Sequence, residues 1–300
     1  MSSSKDEDFR AGFVAIGGRT NVGKSTLLNR LVGHKVAIVT PLPQTTRRRI
    51  VGIRNEAGAQ MILIDTPGIH EPRRLLNRRM MAVARRSLTE GEVIIAVVEA
   101  QAKLAGGDRA FLDDLRGAQA KRIVVVNKID LVSRQKLLPF LQQCQAQVPE
   151  AEIVPVSALT GANIDELVLT IKQMLPVRPA LMPADEYTDQ TERALVEELI
   201  REKVFLAMRQ EIPFSSAVKV EQFIEEPERR LIRITALVIV ERDSHKGMVI
   251  GAGGAKLKEI GTAARMDIEE LLGARVFLEL VAKVEKDWTR NPRKLTELGL

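Results

Sequence analysis

Short apolar runs alternate with amphipathic stretches along the first half of the chain. The runs are rich in β-branched residues and fall at residues 13–16, 61–64, 93–98, 123–126 and 153–156. Runs that are apolar at successive positions are typical of strands buried on both faces of a sheet. Stretches with helical spacing separate them, as at residues 25–32. The pattern therefore predicts an α/β fold with a doubly wound, mostly parallel sheet.

The second half of the chain has a different order. Three prolines, Pro176, Pro179 and Pro183, interrupt both periodicities. Beyond them the pattern predicts, in order, a helix over 191–209, strands over 217–224 and 231–240, a glycine cluster at 247–254, a helix over 255–272 interrupted near Gly261, and a strand over 276–284. We predict a disordered lead-in at residues 1–10, a first domain at 11–177, a linker at 178–190 and a smaller α+β domain at 191–300.

Composition narrows the classes of protein. Hydrophobic residues make up 45% and charged residues 28% of the 300 positions, as in ordinary globular domains. The net charge of +6 favours a polyanionic partner, and aromatic residues at 3% are too few for much base stacking. A single cysteine, Cys144, excludes an internal disulfide and a cysteine metal site. The polar start and the absence of a long apolar run lead us to expect a cytoplasmic protein.

A phosphate-binding motif lies between the first apolar run and the helix that follows it. Residues 18–25 fit the pattern G-x-x-x-x-G-K-[S/T]. In this pattern Lys24 holds the β- and γ-phosphates, Ser25 ligates Mg²⁺, and the helix N-terminus adds a favourable field. A chance glycine turn is the alternative reading. The nucleotide-binding candidates in this motif are Gly18, Asn21, Val22, Gly23, Lys24, Ser25 and Thr26.

Polar clusters follow three of the other predicted strands. They are residues 65–68, with the sequence Asp-Thr-Pro-Gly, residues 127–130, and residues 157–159. Ligand groups in such sheets lie just beyond the carboxyl ends of the strands, where all three clusters fall. Asp65 supplies a carboxylate for Mg²⁺, and the Gly68 N–H is placed to meet a γ-phosphate. We therefore expect one site at this rim.

Residues 127–130 indicate which nucleotide base the site recognises. A carboxylate at Asp130 accepts two hydrogen bonds from guanine, whereas adenine offers no such pair, so guanine is preferred. We expect the Ala158 backbone N–H to meet guanine O6. A polar turn with a helix cap is the alternative. The base-pocket candidates are Asn127, Lys128, Asp130, Ser157, Ala158 and Leu159.

Residues 43–49, Pro-Gln-Thr-Thr-Arg-Arg-Arg, lie between the phosphate loop and Asp65. A threonine hydroxyl here is expected to reach Mg²⁺ when the γ-phosphate is present. We favour Thr46, with Thr45 second, and assign the metal to Ser25, Thr46 and Asp65. The arginines are open to three readings: a solvated turn, a charge aid to hydrolysis or an RNA contact.

Together these four signatures resemble the TRAFAC class of GTPases, and residues 43–47 with Asp-Thr-Pro-Gly-Ile-His at 65–70 are similar to the Era family. The resemblance implies a P-loop NTPase fold that binds GTP, GDP and Mg²⁺. An apolar residue follows Gly68 where Ras-like enzymes carry a glutamine, so slow hydrolysis is expected from Lys24, Thr46 and Gly68. The resemblance also implies that Asn21 ligates K⁺ in place of an arginine finger.

Two positions depart from the family pattern. Thr20 stands where proline is usual, and Gly17 replaces an aliphatic residue. Both are expected to loosen the backbone and lower nucleotide affinity.

The second domain is similar to a type II KH domain. The element order and the Gly-x-x-Gly sequence at 251–254 support this, because such a loop lets a nucleic-acid backbone approach while an apolar groove takes unstacked bases. The family usually has a lysine within the variable pair, but this chain has Ala252 and Gly253, so we expect a weaker salt dependence. The RNA-binding candidates are Ile250, Gly251, Ala252, Gly253, Gly254, Lys256 and Lys258.

The resemblance implies a GTP-dependent switch. Its expected partner is single-stranded RNA, the 3′ end of 16S ribosomal RNA, and its task is maturation of the small ribosomal subunit. GTP is expected to order residues 40–49 and 68–80 and to uncover the RNA groove. We expect a monomer and no DNA partner, while peripheral association with the inner face of the cell membrane stays open.

Three alternative functions are left open. They are an RNA-binding scaffold with vestigial hydrolysis, a phosphate-loop kinase of a small metabolite, and a GTPase with another RNA task such as transfer-RNA modification.

Overall fold

The computed structural model describes residues 8–43, 45–68, 75–101, 103–208 and 211–300. The chain divides into two compact units, the first built mostly from residues up to Asp189 and the second containing Gln190–Leu300. Most of the predicted lead-in lies outside the described residues. Arg10 already belongs to the first strand, so the sheet begins inside the range that we predicted as disordered.

The first unit is built on a six-stranded sheet. Its strands are β1 (Arg10–Gly17), β2 (Ile50–Glu56), β3 (Ala59–Asp65), β4 (Val93–Glu99), β5 (Lys121–Asn127) and β6 (Glu152–Pro155). The strand order is β2-β3-β1-β4-β5-β6, and only the β2–β3 pair is antiparallel. Its helices are α1 (Lys24–Val32), α2 (Leu75–Glu90), α3 (Gly106–Leu115), α4 (Arg134–Gln147) and α5 (Ile164–Met174). The predicted α/β class is confirmed.

Strand β2 is absent from our sequence prediction. It pairs with β3 along its full length, from Ile50 opposite Asp65 to Glu56 opposite Ala59. The two strands are joined by a tight turn in which Gly58 has φ of +73°. Residues 50–53 of β2 are apolar and buried, with Gly52 among them, whereas its last three residues, Arg54, Asn55 and Glu56, are polar and more exposed.

The core of the first unit has two layers, one on each face of the sheet. Alternate residues of β4 and β5 point to opposite layers: Ile95 and Val97 lie in one buried cluster, and Ile94 and Val98 in the other. Burial on both faces explains why these strands read as unbroken apolar runs.

The proline-rich segment before Asp189 packs along β2 and β3. The Ile53 N–H donates to the Tyr187 carbonyl over 2.8 Å, and the Thr188 hydroxyl donates to the Val51 carbonyl over 2.6 Å. The buried Gln60 side chain accepts from the N–H groups of residues 181 and 182. Most of the segment therefore extends the first unit, while the domain boundaries remain a prediction.

The second unit has a three-stranded sheet. Its strands are β7 (Ser216–Glu226), β8 (Leu231–Val240) and β9 (Arg275–Val284). They lie in the order β7-β8-β9, antiparallel for the first pair and parallel for the second. Its helices are α6 (Glu192–Ala207), α7 (Asp243–Ile250), α8 (Ala255–Leu272) and α9 (Pro292–Glu297). This α+β order is the predicted one.

Helix α8 corrects one expectation, because it runs through Gly261 without a break. A Cβ at Gly261 would lie 3.5 Å from Leu280 Cδ1. This is an ordinary contact distance, so the space would also accept alanine, and packing of α8 against β9 offsets the poor helix propensity of the glycine.

The only tryptophan of the chain anchors the end of the second unit. Trp288 is fully buried, and its indole N–H donates to the Ser215 carbonyl over 3.1 Å. The buried Leu295 and Leu298 of the last turns lie nearby in sequence. In the part of the chain that the structure describes, no helix is long and apolar enough to cross a membrane.

Candidate functional site

The loop from β1 to α1 has a backbone that requires glycine at two positions. Gly18 and Gly23 have φ of +147° and +96°. A Cβ would lie 2.4 Å from the Val97 carbonyl oxygen at Gly18, and 2.3 Å from Asn127 Nδ2 at Gly23. Asn21 is also left-handed, with φ of +64°. The loop therefore wraps closely against β4 and β5 and leads into an α1 whose first turn has no acidic residue, which suits a phosphate group.

Side-chain packing explains why a glycine occupies position 17. A Cβ there would lie 2.7 Å from Phe111 Cζ and 2.9 Å from Leu88 Cδ2. These two side chains occupy the space that an aliphatic residue would fill. The neighbouring side chains therefore fill the space beside Gly17. We expected a loosened backbone at this position, and the structure shows a tightly packed one.

Lys24 is the cation of the site. Its ammonium donates to the carbonyls of Gly18 and Arg19 over 3.1 and 2.7 Å, and its side chain is almost entirely buried. Burial lowers the pKa of Lys24 to about 8, although the carboxylate of Asp65 acts in the opposite direction. A polyphosphate would favour the charged form of this lysine.

Three oxygen-bearing side chains meet beside Lys24. Asp65 Oδ2 accepts from Ser25 Oγ over 2.7 Å and from Thr46 Oγ1 over 3.2 Å, and the two hydroxyls lie 2.9 Å apart. Asp65 Oδ1 is buried and has no hydrogen-bond partner among the described residues. Burial raises the pKa of Asp65, with Lys24 opposing the shift. A hard cation such as Mg²⁺ fits this set of oxygens and the unpaired Oδ1.

The segment after Asp65 approaches the phosphate loop. Thr66 donates to the Ile16 carbonyl over 2.9 Å, which anchors the segment to β1. A Cβ at Gly68 would lie 3.0 Å from the backbone nitrogen of Thr20, so only glycine allows this approach. Residues 69–74, which we predicted as part of a second switch, lie outside the described residues, as does Gln44 of the first.

Asn127 connects two loops of the site. Its Nδ2 donates to the Val22 carbonyl over 2.8 Å, and its Oδ1 accepts from the Ala158 N–H over 2.9 Å. Our expectation that the Ala158 N–H meets guanine O6 differs from this arrangement, in which the N–H holds Asn127. Asn127 therefore joins the phosphate loop to the loop after β6, a connection that its motif did not reveal.

The remaining base-pocket residues lie around Asn127. Lys128 has φ of +64°, and its ammonium donates to the Asn21 carbonyl over 2.9 Å and pairs with Glu99 at 3.0 Å. Asp130 is exposed in a 3-10 turn, Ile129–Leu131, directly after β5. Ser157 is buried and Leu159 is exposed. The four predicted clusters thus converge on one rim of the sheet.

Several residues of this rim were missed by the sequence analysis. Arg30 of α1 donates to the carbonyls of Ala158 and Leu159 over 3.1 and 2.5 Å. Arg19 pairs with the buried Asp108 of α3. These contacts join segments far apart in sequence, and no spacing within either segment indicates them.

The second unit presents a separate groove beside the Gly-x-x-Gly loop. Gly251, Gly253 and Gly254 have φ of +72°, +55° and +80°. A cavity of about 260 Å³ lies between α8 and β9. It is lined by Gly254, Leu257, Lys258, Gly261, Thr262, Arg265, Leu278 and Leu280. One wall is therefore polar and basic, and the other is apolar.

The groove contains only some of the predicted RNA-binding residues. Gly254 and Lys258 line it, whereas Lys256 is on another face of α8 and pairs with Glu259 at 2.9 Å. Arg265 and Thr262 were missed, although their spacing of seven and four residues from Lys258 puts all three on one helix face.

Comparisons with known proteins agree with both sites. A family described as "50S ribosome-binding GTPase" matches residues 13–128, and a family described as "KH domain" matches residues 211–289. The chain is 47% identical to GTPase Era of Geobacter metallireducens over 98% of this chain and 99% of that protein. It is 49% identical to GTPase Era of Geotalea uraniireducens over the same shares.

Two solved structures are similar over nearly the full length. One is Era in complex with MgGDPNP and nucleotides 1506–1542 of 16S ribosomal RNA, with a TM-score of 0.94, 41% identity, and coverage of 97% of this chain and 99% of that one. The other is an Aquifex aeolicus Era variant bound to GDP·AlF₄⁻, with a TM-score of 0.92, 40% identity and the same coverage.

Proposed function

The chain belongs to the Era family of GTPases, and from this premise we propose that its second unit binds the 3′ end of 16S ribosomal RNA during maturation of the small ribosomal subunit. The protein binds GTP and GDP with Mg²⁺ and hydrolyses GTP. Family membership excludes the small-metabolite kinase. The observation that carries the proposal is the meeting of Lys24, Asp65 and Asn127 at one rim, in a chain that also has a basic groove beside a Gly-x-x-Gly loop.

We propose the following roles at the nucleotide site. The Lys24 ammonium leaves the loop carbonyls to hold the β- and γ-phosphates, and the Gly68 N–H positions the γ-phosphate. Ser25, Thr46 and Asp65 would hold Mg²⁺, which supplies neutralisation of the charge that develops on the phosphates. No glutamine follows Gly68, so these residues act by positioning and electrostatics, and unaided hydrolysis is slow.

The guanine specificity is assigned to Asp130. It is exposed in the 3-10 turn that follows Lys128 at the end of β5, where its carboxylate would accept both guanine N–H groups. Asp130→Asn should shift preference from GTP toward xanthosine triphosphate, because xanthine has an acceptor where guanine has its amine. Competition binding with the two nucleotides measures this, and an unchanged preference would remove Asp130 from base recognition.

We propose that Asn21 ligates K⁺. It lies on the exposed turn of the phosphate loop in a left-handed conformation, with its carbonyl beside the Lys128 ammonium. Phosphate release should be faster in K⁺ than in Na⁺, and Asn21→Ala should remove the difference. Equal rates of the native protein in both ions would contradict this role.

The test of the whole proposal compares RNA affinity between nucleotide states. The full chain, loaded with GDP or with GDPNP, is titrated with RNA corresponding to nucleotides 1506–1542 of 16S ribosomal RNA. Tighter binding in the GDPNP state is expected from a switch that uncovers the groove. Equal affinities would refute the coupling, and no binding in either state would refute the RNA partner.

The site of action is proposed as the cytoplasm, with the protein acting as a monomer. Peripheral membrane association is tested by flotation with vesicles that contain anionic lipid, in both nucleotide states.

A further inference from the structure

A second cavity lies on the other side of the Gly-x-x-Gly loop. It has a volume of about 450 Å³, is largely open to solvent, and lies between the end of α6, the end of α7 and the start of α8. Ala255, Lys256 and Glu259 of α8 line it, whereas Lys258, Thr262 and Arg265 of the same helix line the groove. Successive residues of a helix are rotated by about 100°, which turns Lys256 and Glu259 away from Lys258 and Arg265, while Ala255 lies between the two sets. The loop separates two cavities and contributes to both.

The cavity is apolar with a polar rim. Met208 and Ile212 form its buried part, and Met248 is half-exposed at its opening. Among the described residues that line it, Lys256 and Glu259 are charged, and they pair with each other at 2.9 Å. Its volume falls within the range of small-molecule sites, which combine apolar walls with a few polar groups. Methionine sulfur makes favourable contacts with aromatic rings, so a flat aromatic group suits these walls.

The loop indicates which aromatic group this is. A Cβ at Gly253 or Gly254 would meet nothing within 4 Å, so the loop backbone is open to a nucleic-acid strand. Gly251 and Ala252 belong to the loop and also line the cavity. Ala252 is exposed, and its short side chain leaves the opening of the cavity uncovered. A strand lying along the groove therefore reaches the cavity as it passes the loop.

We propose that this cavity binds one unpaired RNA base, from the nucleotide next to those in the groove. The proposal rests on RNA binding by the second unit. The base lies against Met248 and Met208, and the Glu259 carboxylate accepts from its N–H groups.

The experiment measures RNA affinity of the full chain with a nested set of RNAs. RNA from the 3′ end of 16S ribosomal RNA is shortened one nucleotide at a time from either end, and Kd is measured by fluorescence anisotropy. Ala255→Leu fills the cavity from an exposed position that is not among the residues lining the groove. Ala110→Leu, at an exposed alanine of α3, is the matched control.

In the native protein, removal of one particular nucleotide should weaken binding about fivefold. Ala255→Leu should weaken binding of the longer RNAs by the same factor, and the cost of removing that nucleotide should then disappear. Met248→Ala should give a smaller loss on the same RNAs, and Ala110→Leu no loss.

Two results would overturn the proposal. A uniform loss across all RNAs would mean that Ala255→Leu disturbs the groove, and no loss on any RNA would leave the cavity to another occupant such as an apolar peptide. Failure of every RNA to bind the native protein would instead refute the proposed function, so the two failures are distinguishable.

Discussion

The nucleotide site and the RNA groove are built in opposite ways. The nucleotide site uses buried polar groups at the ends of β1, β3, β5 and β6, each fixed by several hydrogen bonds. The groove uses side chains on the surface of α8 and on the edge strand β9. A buried polar group that loses its partner is costly, whereas an exposed cation loses only a screened contact. The first site should therefore fail at single positions, and the second should weaken in small steps.

The largest effect is expected when the proposed metal ligand Asp65 is changed. Asp65→Asn keeps the shape of the side chain but removes the charge that would hold Mg²⁺. We expect single-turnover hydrolysis of GTP to fall about 100- to 1,000-fold. Asp113→Asn, at a half-exposed position on α3, is the control and should leave the rate unchanged. A native rate in Asp65→Asn would place the metal elsewhere.

The second largest effect is expected at Asn127, which joins the phosphate loop to the loop after β6. Asn127→Ala leaves the Val22 carbonyl and the Ala158 N–H without this partner. The cost of about 2–3 kcal/mol corresponds to a loss of about 30- to 150-fold in affinity for both GTP and GDP. Isothermal titration of each nucleotide measures it, with Asn55→Ala at the exposed end of β2 as control. A loss no larger than that of the control would mean that the two loops keep their positions without Asn127.

A smaller effect should appear with pH. The pKa of Lys24 is about 8 in the free protein, and phosphates favour its charged form, so binding above this pH must take up a proton. GTP affinity should be constant below about pH 7.5 and fall by about tenfold per pH unit well above pH 8. Equilibrium titrations across this range test it. In Lys24→Arg the side chain stays charged, so GTP affinity should no longer change with pH. If the affinity of this variant still falls above pH 8, another group is responsible for the titration.

The smallest effects should be in the groove. Lys258→Ala and Arg265→Ala should each weaken RNA binding about 3- to 10-fold and reduce the slope of log K against log salt by about 0.7. GTP hydrolysis without RNA should not change, and Lys136→Ala on α4 serves as control. A loss far above tenfold in one variant would show that the groove depends on a single anchor, like the nucleotide site.

The same difference explains what the sequence could predict. Gly18, Lys24, Asp65 and Asp130 lie in motifs whose spacing is set by the backbone of one loop or turn, so their placement on one rim was foreseeable. The roles that we assign to them remain predictions. Arg265 has no such motif, because an exposed helix face accepts many residues at each position. Only the contact of α8 with β9 shows that this residue lines the groove.

Errors in the fold have a common physical origin. β2 was missed because its apolar part spans only residues 50–53 and includes a glycine, and its formation depends on pairing with β3. The break expected at Gly261 is absent, because packing of α8 against β9 outweighs the local preference of glycine. In both places a contact distant in sequence decided the structure.

Trp288 is an intrinsic fluorescence probe of the second unit. Since the chain has one tryptophan and it is fully enclosed in the second unit, excitation near 295 nm observes that unit alone, with nothing from the nucleotide site contributing. A red shift of its emission therefore reports melting of the RNA-binding half, and each substitution near Lys24 or Asp65 can be checked for remote damage without adding a label.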